Sequence, residues 1–257
     1  YGKKGLEEEL VRRFEFEVEA LSRLRNPHVV SVYEAMQLAR SVFVLVMDYV
    51  EGVTLQDRLD RVGGLEHEQA LSIVRQIANG LHEAHTEGII HRDLKPENIM
   101  IEQMPASGVF ARVLDFGIAY MVDSVRQTAG FRGTPLYAAP EQCRSEGEIT
   151  ARSDVYALGC VLFHCLTGAP PFDGDRALQV MEAHVAQTPP TLSERVEGVE
   201  FSDKLERLIA DMLAKEPGDR PADCGEVVAR LDEVMTQMTA EGSNAVEPPP
   251  GPRVPAV

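Results

Sequence analysis

The amino-acid sequence predicts an α+β fold in two parts, a small strand-rich part followed by a larger helical part. Short β-branched apolar runs occur early in the chain, at 29–33 and 42–47, and such runs are typical of adjacent buried strands. Later in the chain the apolar residues recur at helical spacing instead. We therefore divide the chain into residues 1–50, residues 51–240 and a proline-rich linker or tail at 241–257.

The chain opens with a helix whose apolar seam contains a charged residue. Leu10, Phe14, Leu21 and Leu24 are spaced as on one face of a helix, and Glu17 lies in the middle of that face. A carboxylate buried among apolar side chains is costly unless a cation pairs with it. Two interpretations are open: Glu17 reaches water at the edge of the seam, or it pairs with a basic residue from elsewhere.

The elements that follow are predicted from local patterns. We expect a short hairpin formed by Ile99–Ile101 and Val113–Leu114. Residues 155–166 are apolar on all sides, which predicts a helix buried in the middle of the larger part. Ser202 and Asp223 are expected to cap two later helices. Three apolar stripes predict further helices: Ala70, Val74, Ile77, Leu81 and Ala84; Leu205, Leu208, Ile209, Met212 and Leu213; and Val227, Val228, Leu231, Val234 and Met238.

Composition excludes several classes of protein. The chain has 25 Lys and Arg against 41 Asp and Glu, a net charge of −16, which argues against binding to nucleic acid or anionic membranes. Its 4 cysteines form no C-x-x-C pair, so we expect free thiols in a reducing compartment. The longest apolar stretch is far shorter than the roughly 20 residues of a membrane helix. We expect a cytoplasmic domain whose only route to a membrane is through segments outside it.

Three short motifs carry chemistry. Residues 91–98 read His-Arg-Asp-Leu-Lys-Pro-Glu-Asn, residues 115–117 read Asp-Phe-Gly, and residues 139–141 read Ala-Pro-Glu. In this order and spacing they resemble the catalytic loop, the metal-binding motif and the end of the activation segment of protein kinases. The chain is similar to the eukaryotic-like Ser/Thr protein kinases of bacteria. The resemblance implies a two-lobed protein-kinase-like fold, with a partial small lobe that lacks its first strands and a complete helical large lobe.

The same resemblance implies transfer of the γ-phosphate of ATP to Ser or Thr hydroxyls of protein substrates. Asp93 would accept the proton of the substrate hydroxyl, and Asn98 with Asp115 would hold the Mg²⁺ ions that bridge the nucleotide phosphates. Oxygen ligands of this kind are those that Mg²⁺ prefers. Lys95 resembles the lysine that contacts the transferring phosphate in Ser/Thr kinases. Thr134 would contact this loop and help to select Ser and Thr over Tyr.

Other positions resemble the nucleotide site of the family. Met47, Asp48 and Val50 resemble the gatekeeper and the hinge whose backbone groups bond to adenine. Met100 would form the apolar floor beneath the adenine ring. Glu17 matches the glutamate of the helix in the small lobe, which gives its place in the apolar seam a reason.

A further group of residues resembles structural and regulatory positions of the family. Asp154 resembles the aspartate that fixes the catalytic loop through backbone hydrogen bonds. Arg220 resembles the arginine that pairs with Glu141 and ties the end of the activation segment to the helical lobe. Arg92 precedes Asp93 and implies regulation by phosphorylation of the activation loop, because a phosphate gives this guanidinium a charged partner. Thr128 is the predicted phosphorylation site, and Ser124 is the second candidate.

The resemblance does not extend to the beginning of the sequence. No G-x-G-x-x-G-x-V and no V-A-x-K precedes Glu17; Lys3 and Lys4 stand too close to it and follow no apolar strand. Either the sequence begins inside the domain or the protein is a naturally degenerate kinase, and the intact catalytic motifs favour the first. We expect residues 1–257 alone to bind Mg-ATP weakly and to transfer phosphate very slowly.

Two other functions are open. A pseudokinase would use the same fold as a scaffold that binds a partner, without phosphotransfer. A small-molecule kinase of related fold is less consistent with the sequence, because Ala-Pro-Glu, Gly-Thr-Pro and Arg220 belong to a peptide-binding architecture.

Overall fold

The computed structural model describes residues 12, 18–39, 42–104, 108–116, 135–144 and 148–244. Its strands are β1 (Val32–Ala39), β2 (Val42–Met47), β3 (Val53–Thr54), β4 (Ile99–Met104) and β5 (Gly108–Val113). Its longer helices are α1 (Leu55–Val62), α2 (His67–Thr86), α4 (Ala151–Thr167), α5 (Ala177–Ala186), α7 (Asp203–Met212) and α8 (Cys224–Asn244). Two short α-helices are α3 (Pro140–Arg144) and α6 (Leu192–Arg195), and Pro96–Asn98 and Pro217–Asp219 form 3-10 helices.

The strands form two small antiparallel sheets. One consists of β1 and β2, and the other has the order β3-β4-β5. The predicted hairpin is confirmed, since Ile99 lies opposite Val113 and Met104 lies opposite Gly108. Residues 18–21 are helical and precede β1, which makes the first sheet and this helix the small lobe. The helices from α1 onward, together with the second sheet, make the large lobe.

The first predicted strand is displaced in the structure. The run at 29–33 was expected to be a strand, but β1 begins at Val32. Val29 and Val30 are buried against the end of β5 instead: the Val30 N–H donates to the Val113 carbonyl over 3.0 Å, and Val29 forms an isolated bridge with Val113. The apolar character of the run therefore reflects a contact between lobes, whereas the second predicted strand, 42–47, is confirmed.

The segment before β1 is fastened to α2 by polar contacts. The Arg25 N–H donates to Glu83 Oε1 over 2.7 Å, and the Asn26 side-chain amide donates to the Asn79 carbonyl over 3.2 Å. His28 Nδ1 bonds to the Ala111 carbonyl of β5 over 2.9 Å. These bonds join the small lobe to α2 and to the second sheet, both of which belong to the large lobe.

The core of the large lobe is built around α4. Every residue of α4 from Ser153 to Leu166 is buried, which confirms the prediction of a helix apolar on all sides. The three apolar stripes lie on α2, on α7 and the residue that follows it, and on α8, all packed into one core. The two caps are present: Ser202 Oγ accepts from the Leu205 N–H, and Asp223 Oδ1 accepts from the Gly225 N–H. Helix α8 continues to Asn244, beyond the predicted boundary at residue 240.

The 4 cysteines are free thiols, as predicted, and all are buried. Burial raises the pKa of the Cys143 thiol to about 11 and that of Cys165 to about 12, so both stay protonated and behave as small apolar side chains. In the parts of the chain that the structure describes, no helix is both long enough and apolar enough to cross a bilayer.

Gly159 tests the close packing of α4. A Cβ at this position would lie 2.9 Å from Met212 Cβ and 3.2 Å from Leu213 Cδ2. We expect Gly159→Ala to lower the free energy of unfolding by about 1–2 kcal/mol, because overpacking outweighs the gain in helix propensity. Chemical denaturation measures this change. The control is Gly218→Ala, whose Cβ meets only Arg152 Nη1 at 3.9 Å. A Gly159→Ala variant as stable as the control would contradict the packing described.

Candidate active site

Two of the three motifs predicted to carry chemistry meet at one edge of the second sheet. The loop at 91–98 leads into β4, and Asp115 follows β5, which is the antiparallel neighbour of β4. Leu114 joins the two segments, because its N–H donates to the Asn98 carbonyl over 2.8 Å and its carbonyl accepts from His91 Nε2 over 2.9 Å. Asp115 is therefore held beside the loop that contains Asp93.

Asp93 lies at the centre of this site. Its Oδ2 accepts a hydrogen bond from Lys95 Nζ at 2.7 Å and a longer one from Asn98 Nδ2 at 3.3 Å. The Asn98 amide also donates to the Asp93 backbone carbonyl over 2.8 Å. The Asp93 side chain is 45% exposed, and its Oδ1 accepts no bond from the described residues. One carboxylate oxygen is thus oriented by the loop, and the side chain as a whole is partly accessible.

Asp154 holds the backbone of the loop from below. Its carboxylate is 1% exposed and accepts the N–H groups of His91, over 2.8 Å, and Arg92, over 2.9 Å. His85 Nε2 donates to the same carboxylate over 2.8 Å. These bonds support a strained backbone, since Arg92 has a φ of 66°, a region that residues other than glycine seldom adopt. The Gln142 side chain adds a bond to the Arg92 carbonyl over 2.7 Å.

His91 is neutral in this arrangement. Burial lowers the pKa of His91 below its ordinary value, against the opposing effect of Asp154. The neutral ring donates from Nε2 to Leu114 and accepts at Nδ1 from the Asp93 N–H over 3.3 Å. Its ring also packs on that of Phe116, with centroids 4.8 Å apart. Because Phe116 is buried, it anchors the chain directly after Asp115, which is exposed and has a φ of 51°.

The oxygen atoms of Asn98 and Asp115 suit a cation that a nucleotide also coordinates. Asn98 Nδ2 faces Asp93, so the opposite side of the amide, Oδ1, accepts no hydrogen bond from the described part of the chain. Within that part no three His, Cys, Asp or Glu side chains converge to hold a metal ion by themselves. Mg²⁺ commonly takes one or two protein oxygens and completes its shell with phosphates and water. The residues present fit that mode of binding.

The residues predicted to bind adenine lie near the junction of the lobes. Met47 ends β2, and Asp48 follows it with its N–H donating to the Ser31 carbonyl over 3.0 Å. Val50 is buried, and Met100 is half-buried in β4. Four other predicted residues, Glu17, Ser124, Thr128 and Thr134, lie outside the described residues.

Glu141 and Arg220 form a buried ion pair, as the sequence predicted. Two parallel bonds of 2.9 Å join the guanidinium to the carboxylate, and Ser153 Oγ donates to Glu141 Oε1 over 2.6 Å. Burial alone would raise the pKa of the Glu141 carboxyl, but the bonds from Arg220 and Ser153 outweigh it and hold the pKa below its ordinary value. Arg220 also donates to the Ala214, Lys215 and Arg152 carbonyls. The pair ties α3 to α4 and to the turn before α8.

Sequence reasoning missed two residues of the site. His85 bonds to Asp154 from 69 positions away, and Gln142 bonds to Arg92 from 50 positions away. A histidine on α2 and a glutamine on α3 carry no local pattern that indicates such a partner. Only the Ala-Pro-Glu motif next to Gln142 marked this stretch as functional.

Comparison with known proteins shows which family the chain resembles. The family model described as the protein kinase domain matches residues 3–233. Serine/threonine-protein kinase pkn3 of Myxococcus xanthus is 40% identical over 234 residues, which cover 89% of this chain and 43% of that protein. Serine/threonine-protein kinase PknB of Mycobacterium leprae is 40% identical over 248 residues, which cover 94% of this chain and 37% of the relative. The chain thus spans about two fifths of the length of these relatives.

Solved structures show the same fold. The crystal structure of a double mutant of the Mycobacterium tuberculosis PknI kinase domain matches with a TM-score of 0.67 and 27% identity, over 88% of this chain and 79% of that one. The crystal structure of Rad53 in complex with AMP-PNP matches with a TM-score of 0.70 and 27% identity, over 84% of this chain and 53% of that one. The two-lobed architecture predicted from the sequence is therefore confirmed.

The ion pair between Glu141 and Arg220 can be tested by removing one partner. We expect Arg220→Met to lower the free energy of unfolding by about 3–5 kcal/mol, because it leaves a buried carboxylate without its cation. The double variant Glu141→Gln, Arg220→Met should regain part of that loss. Urea denaturation measures both values. Arg23→Met, at a side chain that is 63% exposed, is the matched control and should change little. Equal effects of Arg220→Met and Arg23→Met would contradict this assignment.

Proposed function

The chain belongs to the protein kinase domain family, and from this premise we propose that the intact protein transfers the γ-phosphate of ATP to Ser or Thr hydroxyls of proteins. The observation that carries the proposal is the arrangement of Asp93, Lys95 and Asn98 beside Asp115, on a loop held by Asp154. The names of the relatives pkn3 and PknB, both serine/threonine-protein kinases, support the same activity.

We propose that Asp93 is the residue that accepts the proton of the substrate hydroxyl. Lys95 and Asn98 orient Oδ2, so Oδ1 is left to face the incoming hydroxyl group. General-base residues act through positions of this kind, within hydrogen-bond reach of the proton that they remove. Lys95 also brings a positive charge to the side of the site where phosphate charge accumulates.

ATP and Mg²⁺ are the proposed cofactors. Asn98 Oδ1 and the Asp115 carboxylate would hold the cation, which supplies neutralisation of the phosphate charge when it is bound. Met47, Asp48, Val50 and Met100 would contact the adenine, and Glu17 would take part in positioning the phosphates. Rad53, which shares the fold, was crystallised in complex with the ATP analogue AMP-PNP, and this supports a nucleotide as the ligand.

We also propose that phosphorylation regulates the domain. Arg92 is fixed by backbone bonds to Asp154 and Gln142 at the base of the loop, where a phosphorylated Thr128 would find a charged partner. Thr134 would help to position the substrate hydroxyl near Asp93 and Lys95. Both roles follow from the resemblance of these residues to positions in the family.

Replacement of the proposed base tests the activity. We expect Asp93→Asn in the intact protein to lower the rate of phosphate transfer to a generic basic protein by about 10²–10⁴-fold, because the amide cannot accept the hydroxyl proton. Radiolabelled ATP with phosphoamino-acid analysis measures the rate and distinguishes Ser and Thr from Tyr. Asp203→Asn, an exposed carboxylate at the start of α7, is the matched control.

The same assay distinguishes the alternatives. Transfer to aminoglycosides or choline in preference to protein would indicate a small-molecule kinase. If the unsubstituted protein transferred no phosphate from ATP to any of these substrates, the result would indicate a scaffold. Transfer that Asp93→Asn leaves unchanged would refute the role proposed for Asp93.

The regulatory proposal has its own test. We expect Thr128→Ala to lower phosphorylation of a protein substrate by about tenfold, because the loop loses its charged link to Arg92. Ser124→Ala, in the same segment, should leave the rate near that of the unsubstituted protein. Mass spectrometry of the active protein should find phosphate on Thr128. A strong loss in Ser124→Ala with none in Thr128→Ala would show that the wrong site was assigned.

A further inference from the structure

The side chain of Lys215 lies in an aromatic cage apart from the loop that contains Asp93. It follows α7 and precedes the 3-10 helix at Pro217–Asp219. Its Nζ is 4.4 Å from the ring centroid of Phe172 and 5.8 Å from that of Tyr156. The same atom is 3.5 Å from Tyr156 Oη and 3.5 Å from the Ala183 carbonyl oxygen. We call Phe172, Tyr156 and Ala183 the lysine cage.

The lysine cage supplies rings and dipoles but no counter-charge. Among the described residues no carboxylate lies within 4 Å of Lys215 Nζ, and the side chain of neighbouring Glu216 is directed to Arg144. The Tyr156 ring also faces a second cation, because the Arg220 guanidinium carbon lies 4.9 Å from its centroid. Arg220 has Glu141 as its counter-ion. Lys215 is therefore the one of these two cations that the described part of the fold leaves without an ion pair.

The ring faces and the two oxygen acceptors favour the ammonium form, whereas burial away from water favours the neutral amine. Burial lowers the pKa of Lys215 to about 8, and the positive charge of Arg220 acts in the same direction. At pH 7.4 a far larger fraction of Lys215 is then neutral than of an ordinary lysine, of which about 0.1% is neutral. A lysine amine desolvated next to another cationic group is an activated nucleophile.

We propose that Lys215 is an Nε-acylation site that reacts with small activated acyl donors, either acyl phosphates or acyl thioesters. In the neutral form its two N–H groups can donate to the Ala183 carbonyl and to Tyr156 Oη, which directs the lone pair away from both acceptors. The geometry therefore presents the lone pair on the side of Nζ that the cage does not occupy.

The reaction needs no partner beyond the donor. The amine nitrogen attacks the acyl carbon and forms an amide bond, and the bond from that carbon to the phosphate oxygen or the thiol sulfur breaks with its electron pair. The surplus proton on nitrogen passes to water, and nothing is oxidised or reduced. The product loses the positive charge that faces Phe172 and keeps one N–H for the Ala183 carbonyl.

The position of Lys215 links its modification to the ion pair of the large lobe. Its backbone carbonyl accepts a bond from Arg220 Nη2 over 3.0 Å, so the lysine lies on the turn that holds Arg220 against Glu141. Acylation removes one of the two positive charges that lie near the Tyr156 ring. An acyl group on Lys215 would thus lie next to the Glu141–Arg220 ion pair, which ties α3 to the core.

Trace labelling of the folded chain tests the proposal. We would treat the protein at pH 7.4 with acetyl phosphate in one arm and acetyl-coenzyme A in the other, and quantify acetylated peptides by mass spectrometry. Lys204 on α7 is the internal control, because it is exposed. We expect Lys215 to react at least about fivefold faster, since its larger neutral fraction outweighs the lower nucleophilicity of a less basic amine. The reagent that acetylates Lys215, acetyl phosphate or acetyl-coenzyme A, identifies the class of acyl donor.

Two further measurements make the result decisive. Labelling of Lys215 should level off above about pH 8, whereas ordinary exposed lysines continue to gain reactivity to about pH 10. In guanidinium chloride the two lysines should react at equal rates, which would trace the difference to the fold. Labelling of Lys215 no faster than Lys204 in the folded chain, or a rate that rises steadily to pH 10, would overturn the proposal.

Discussion

The loop that contains Asp93 depends on one buried carboxylate. Asp154, near the start of the buried helix α4, accepts the N–H groups of two successive loop residues, and a histidine from α2 donates to the same group. A strained, left-handed residue such as Arg92 persists only where its surroundings hold it in place. Asp93 directly follows Arg92 in this loop, which leads into β4. The bonds to Asp154 therefore set the position of Asp93, although Asp154 is not among the residues proposed to act on the substrate.

A second buried charge organises the other side of the site. Glu141 and Arg220 come from segments 79 residues apart, and their two parallel bonds bring α3 onto the helical core. The pair is stable because Ser153 and three backbone carbonyls satisfy its remaining hydrogen-bonding groups. Ser153 and Asp154 are adjacent on α4, so a single helix turn supports both the loop and the segment that faces it.

Arg220 and Lys215 show how the same lobe treats two cations differently. Both lie over the Tyr156 ring, but within the described residues only the arginine has a carboxylate partner. A guanidinium keeps its charge in such a place, whereas an ammonium group yields its proton more readily when it is desolvated. The structural cation and the reactive amine are therefore neighbours, and what separates them is the presence of Glu141.

The sequence by itself determined the family, the motif residues and the long helices. The helices at α2, α4, α7 and α8 were predictable because hydrophobic period is a local property of the chain. The run at 29–33 misled because burial against β5 leaves the same apolar signature as a strand. Only the tertiary structure revealed His85 beneath Asp154, Gln142 beneath Arg92 and the cage around Lys215. Each of these depends on contacts between residues distant in sequence, and such contacts leave no periodic trace in the chain.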